Sequence, residues 1–176
     1  MNVKKQTLKL VYSAALLALC LVLPFLTLQM QQLGNALCLM HIPVLLCGFI
    51  CGPIWGLAIG FIAPLLRFAV FGMPPILPIG LAMAFELATY GLLSGIVYRK
   101  LSNKKSNIYI SLIAAMLGGR IVWGVVRYVI AALQDDVFPF SAWITGAFVT
   151  ALPGILIHIL IIPVIVMGLL KAKVIE

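Results

Sequence analysis

Carboxylates are nearly absent from this chain. Four Asp and Glu stand against twelve Lys and Arg, and the four are Glu86, Asp135, Asp136 and Glu176. No pair of acids shares a helix face, so two-carboxylate chemistry has no residues to use. The sequence also lacks a GxxxxGK[ST] phosphate loop, an HExxH zinc helix and a GxSxG nucleophile turn. It therefore cannot hydrolyse ATP by itself and is not expected to be an enzyme. Cysteine is sparse as well. Cys20, Cys38, Cys47 and Cys51 all lie in or beside apolar segments. Cys47 and Cys51 are one helical turn apart with His41 nearby, which makes a metal or haem site conceivable. Small buried thiols packing as apolar residues are the simpler reading, and no metal or cofactor is expected.

What the chain has is hydrocarbon. It is 64% hydrophobic over 176 residues, with a mean hydropathy of +1.22. A soluble domain of this size cannot hide that much apolar side chain, so the composition implies an integral membrane protein with no room for a separate soluble domain. The first apolar run follows a basic start and has the outline of a signal peptide. It is too long and has no clear small-x-small cleavage site, so it is expected to be a retained span. The net charge of +8 is not a nucleic-acid signal, because the lysines stand at span boundaries, where they meet the lipid bilayer's headgroups.

A spanning helix needs about 20 apolar residues. The pattern predicts spans at about 8–28, 36–51, 53–71, 79–98, 108–133 and 140–170. Gln29–Asn35 is expected to be a polar loop, and Gly72–Pro78, with its three prolines, another. Gly52-Pro53 divides the second span from the third. The lysines check that division. Lys4, Lys5 and Lys9 open the chain, Lys100, Lys104 and Lys105 sit near its middle, and Lys171 and Lys173 close it. Six spans put all of them on one side, and the positive-inside rule makes that side cytoplasmic. Residues 1–176 are thus expected to form one all-α unit, a bundle of six transmembrane helices with both termini cytoplasmic. Gly48, Gly52, Gly56 and Gly60, with Gly91 and Gly95, recur every four residues. Small residues at this spacing let helices approach closely, and packing within the bundle explains them.

Orientation converts position into depth, at about 1.5 Å per helical residue. Arg67, Glu86, Arg120, Arg127, His41 and His158 then fall in the midplane or outer half, beneath the polar stretch that ends at Asn35. This is the layout of a pocket open to the outside. Arg120, Trp123 and Arg127 share one helical face by their i, i+3, i+7 spacing. Arg67 and Glu86 read either as a structural ion pair or as ligand-binding groups. Arg127 can equally snorkel to headgroups, and His158 and Trp123 can simply pack. Arg120 is too deep to snorkel. Three deep arginines against one glutamate leave surplus positive charge, which favours an anionic ligand. A carboxylate suits the planar fork of guanidinium. With one intramembrane carboxylate and no convincing internal repeat, an ion-coupled carrier is disfavoured.

Several runs together carry a family resemblance: Met40-His-Ile-Pro-Val-Leu-Leu-Cys-Gly-Phe-Ile-Cys-Gly-Pro53, Gly56-x-x-x-Gly60, Phe71-Gly-Met-Pro-Pro75, Ala84-Phe-Glu-Leu-Ala-Thr-Tyr-Gly91, Gly118-Gly-Arg-Ile-Val-Trp-Gly124 and Ala14-x-x-x-Ala18. Over nearly its whole length the chain resembles the substrate-binding S components of energy-coupling factor (ECF) vitamin transporters. The resemblance implies a six-helix bundle in a prokaryotic plasma membrane that captures a vitamin at its outer side. It also implies docking on a transmembrane T subunit driven by two cytoplasmic ATPases, with Ala14 and Ala18 on the docking face. The loops at about Gln29–Asn35 and Gly72–Pro78 would cover the substrate. The Met-His-Ile-Pro and Gly-Met-Pro-Pro signatures look like the branch for pantothenate, hydroxymethylpyrimidine and pyridoxine. The arginine surplus selects pantothenate, which has a carboxylate, whereas the other two would leave Arg120 to be neutralised by the protein. A stand-alone small-solute carrier, or a structural subunit with no ligand, would be the rival readings.

Overall fold

A computed structural model of the chain describes residues 3–28, 30–101 and 105–172. Gln29, Lys104, Lys173 and Glu176, which entered the sequence reading, lie outside the described residues. The elements are helical throughout: α1 (Val3–Val22), a 3-10 turn (Leu23–Thr27), α2 (Gln31–Leu37), α3 (His41–Ile50), α4 (Pro53–Phe71), α5 (Leu81–Lys100), α6 (Lys105–Leu133), α7 (Phe140–Ile144) and α8 (Leu152–Lys171). Wide π-type turns at Ile76–Gly80 and Thr145–Val149 lead into α5 and out of α7. Among the described residues six segments are long and apolar enough to cross a membrane: Val3–Thr27, Gln32–Ile50, Pro53–Phe71, Ile76–Lys100, Lys105–Leu133 and Phe140–Lys171.

The division between the second and third crossings falls at Gly52. Its φ of 105° is open to glycine and strained for other residues, and Pro53 then starts α4 with no N–H to leave unsatisfied. Arg99 Nη2 donates to the Cys51 carbonyl at 3.3 Å, holding this corner against the end of α5. Two expectations change. The stretch expected as a loop before Ala36 is largely helical, because α2 begins at Gln31. This helix packs against α8, and its Gly34 and Asn35 line a cavity. The last crossing spans Phe140–Lys171 as expected, but it is not uniformly α-helical: it widens at Thr145–Val149, where Thr150 N bonds to the carbonyl five residues back, at Thr145.

α5 is the central helix, packed against α3, α4 and α6. It fits there because its contact faces are small. A Cβ on Gly91 would overlap the Gly56 backbone, one on Gly60 would overlap Leu87, and one on Gly48 would overlap Ser94 and Gly91. This glycine seam supplies the close approach that membrane helices need when no hydrophobic effect drives them together. On its other side α5 sends the Tyr90 ring into the gap beside Gly119 of α6. With α5 fixed between its neighbours, Glu86 is buried and its side chain meets groups from α3 and α6.

Candidate functional site

Glu86 is the hub of a buried polar cluster. Arg120 Nη1 donates to Glu86 Oε1 at 2.9 Å. Tyr90, one turn further along α5, donates its hydroxyl to the same oxygen at 3.0 Å. His41, the first residue of α3, brings Nε2 to 3.6 Å from it. Arg120 Nη2 points to Cys38 Sγ at 3.7 Å. The Cys38 carbonyl accepts from His158 Nε2 at 3.2 Å, which leaves His158 Nδ1 as the unprotonated nitrogen. The rings of His41 and His158 stack at 5.9 Å. Trp143 of α7 donates Nε1 to the Arg120 carbonyl at 3.0 Å, its indole filling the space left by Gly124.

Several polar atoms of this cluster are buried without a hydrogen-bond partner: Arg120 Nε, Arg127 Nε, both ring nitrogens of His41 and His158 Nδ1. Each such group costs about 1–3 kcal/mol if left unmet, so a cluster of them marks a place where water or a ligand belongs. The place is a cavity of about 250 Å³ whose walls include Asn35, His41, Glu86, Arg120, Trp123, Arg127 and Thr150. A narrower chamber of about 90 Å³ adjoins it, walled by Thr27, Arg67 and a group of methionines. The two share Gly34, Asn35, Cys38, Ile79 and Met83, so α2 and the start of α5 border both.

The expected site residues are therefore mostly brought together. His41, Glu86, Arg120, Trp123, Arg127 and Asn35 line the larger chamber, and Arg67 and Asn35 the smaller. His158 lines neither and instead backs the larger chamber through Cys38 and His41. One expectation fails: Arg67 and Glu86 do not pair. Arg67 Nη1 donates to the Leu21 carbonyl at 3.0 Å, and its guanidinium lies 5.6 Å from the ring centres of both Phe25 and Phe71. Glu86 faces α6, where Arg120 is in contact, while Arg67 serves the negative end of α1. Arg127 is half-buried, 5.0 Å above the Phe138 ring, and Phe138 in turn packs edge-on against Trp123. Ala14 and Ala18 are exposed on α1, while Ser13, Leu16 and Cys20 of that helix are buried.

All four cysteines are buried and free. Among the described residues no group of three or more His, Cys, Asp or Glu is placed to hold a metal ion. Sequence reasoning passed over Tyr90, Cys38 and Trp143. Tyr90 had a signal, since it lies at i+4 from Glu86 and so on the same helix face. Cys38 had none, because its place depends on a left-handed turn, with φ of 50°, between α2 and α3.

Residues 8–166 match the family model described as ECF transporter, substrate-specific component. No curated protein and no solved structure matches the chain.

Proposed function

The chain belongs to the family of ECF transporter substrate-specific components, and from that premise we propose that it captures pantothenate from outside a prokaryotic plasma membrane. Residues 1–176 act as one substrate-binding unit with both termini cytoplasmic. The chain then delivers its cargo through a T subunit powered by two ATPases. The observation that carries the substrate is the charge of the cavity walls. Across both chambers Arg67, Arg120 and Arg127 stand against Glu86 alone. Glu86 is already matched by Arg120, and Arg67 is tied to Leu21 and two rings. Arg127 has a buried Nε–H with no hydrogen-bond partner, and the Asp136 carboxylate acts on it through space without an ion-pair contact. A carboxylate held by Arg127, with the free Nε–H of Arg120 beside it, satisfies both donors. Arg120 thus moves from principal anchor to a fixed second donor, and Trp123 packs alongside.

The amide and hydroxyls of pantothenate supply partners for Asn35 and for His41 Nδ1, which has no hydrogen-bond partner. The exposed Ala14 and Ala18 support docking on the T subunit, since a smooth strip on α1 lets another helix come close. A second reading is favoured by one observation. Arg120 is neutralised by the protein itself, which is the arrangement expected for an uncharged ring such as hydroxymethylpyrimidine or pyridoxine. Calorimetry on the purified protein in lipid nanodiscs separates the two. Pantothenate should bind well and its alcohol analogue pantothenol poorly, and Arg127→Ala should cost about 1.5–3 kcal/mol, the scale for a hydrogen bond to a charged group. Equal binding of acid and alcohol would refute the carboxylate assignment. Mass spectrometry of small molecules released from the purified protein would then identify the ring.

A further inference from the structure

A carboxylate at Arg127 engages only the larger chamber. The smaller one has a different chemistry. Met30, Met40, Met73 and Met83, four of the seven methionines, converge on the small chamber. They come from the turns before α2 and α3, the loop after α4, and α5. Thioether chains are unbranched and polarisable, and they mould to compact apolar shapes. The polar groups there are few and partly spent. Thr27 donates its hydroxyl to the Pro24 carbonyl at 2.7 Å. Arg67 donates to the Leu21 carbonyl and lies against the faces of Phe25 and Phe71. It remains a hydrogen-bond donor in a wall that is otherwise mostly apolar.

We infer that the methionine-walled chamber is a second subsite, which takes a compact, branched hydrocarbon end carrying a hydroxyl. The hydrocarbon meets the thioethers and the hydroxyl oxygen accepts from Arg67 or Asn35. The inference rests on the proposed pantothenate reading and sets the direction of the molecule: carboxylate toward Arg127, dimethyl end toward Met83. The two chambers have Asn35 and Met83 in common, and on this reading those side chains must let one extended molecule lie across both.

The test uses the full chain in nanodiscs with its methionine methyls labelled with carbon-13. Pantothenate should shift the methyl signals of Met30, Met73 and Met83 and leave Met167, in α8 and outside both chambers, in place. An analogue lacking the two branching methyls should bind on the order of tenfold more weakly, from the apolar surface it fails to bury. Met83→Ser should weaken pantothenate and shrink the difference between the two ligands. If pantothenate binds but the analogue binds equally, or the chamber methyls stay still, the second subsite is wrong while the carboxylate reading stands. If wild-type protein does not bind pantothenate at all, both fall together.

Discussion

Replacing Glu86 by Gln tests the polar cluster in two opposite directions. The carboxylate is buried, takes a charged hydrogen bond from Arg120 at 2.9 Å and a neutral one from Tyr90 at 3.0 Å. Glutamine keeps the volume and can still accept from Tyr90. It removes the only negative charge in the chamber wall and leaves a buried guanidinium unpaired. Truncating one partner of a buried pair costs about 3–5 kcal/mol, and the surviving Tyr90 bond puts the expected loss near the lower end. Reversible unfolding in mixed micelles reads it directly. Adding Arg120→Gln should recover part of the loss, because the orphaned charge is then gone, so the two substitutions should not add. The ligand effect has the other sign. Without Glu86 the chamber is more positive, so pantothenate should stabilise the Glu86→Gln variant by more than it stabilises wild type. A variant as stable as wild type, to within about 0.5 kcal/mol, would refute the account of the pair. Loss of pantothenate binding with the fold intact would mean that Glu86 contacts the ligand itself.

Three further outcomes are expected. Gly91→Ala should destabilise by about 1–3 kcal/mol, because its Cβ overlaps the Gly56 backbone, while Gly168→Ala, which meets nothing within 4 Å, should be neutral or slightly stabilising in the same unfolding assay. Ala18→Trp should spare pantothenate binding and abolish uptake in cells carrying the T subunit and ATPases; loss of binding instead would show that the strip serves the bundle's own packing. A cysteine at Asp136 should be labelled by an impermeant maleimide added outside and one at Lys105 should not, and outside labelling of position 105 would overturn the orientation.

How far the fold can be read from the sequence depends on the kind of signal. The six crossings are legible because each is a long apolar run, and Gly52-Pro53 marks the one ambiguous break with a residue pair that few other structures tolerate. The glycine seam is legible for the same reason, since only small residues at a spacing of four allow Gly56 to sit on Gly91. Hidden from sequence are the features made by partner choice. α2 forms from a stretch rich in glutamine that carries no apolar periodicity, and its place over the cavity depends on seating against α8, where Gly154 leaves room for the carbonyls of Ala36 and Leu37. The membership of the site was largely visible in the rare intramembrane charges. The pairing among them was not, because depth alone puts Arg67 and Arg120 on equal terms for Glu86, and only the rotation of α5 about its axis decides between them.

That decision bears on how a capture subunit can hold a charged solute and still let it go. A carboxylate paired with a lone buried arginine would be a deep trap, since release would strand the guanidinium in hydrocarbon. Here the deepest arginine already has its counter-charge in Glu86, backed by Tyr90 and Cys38, so the floor of the chamber is neutral and fixed whether or not it is occupied. Arg127 is only loosely compensated, half-buried over Phe138 and acted on by Asp136 just beyond the end of α6. A ligand anion met there gives up only part of its hydration, and its departure leaves a guanidinium that water can reach. The cost of the empty state is then spread over a ring face, water and one partly exposed cation. On the proposed reading, affinity is set mainly by Arg127 and the uncharged contacts, and the cargo leaves without breaking the Glu86–Arg120 pair.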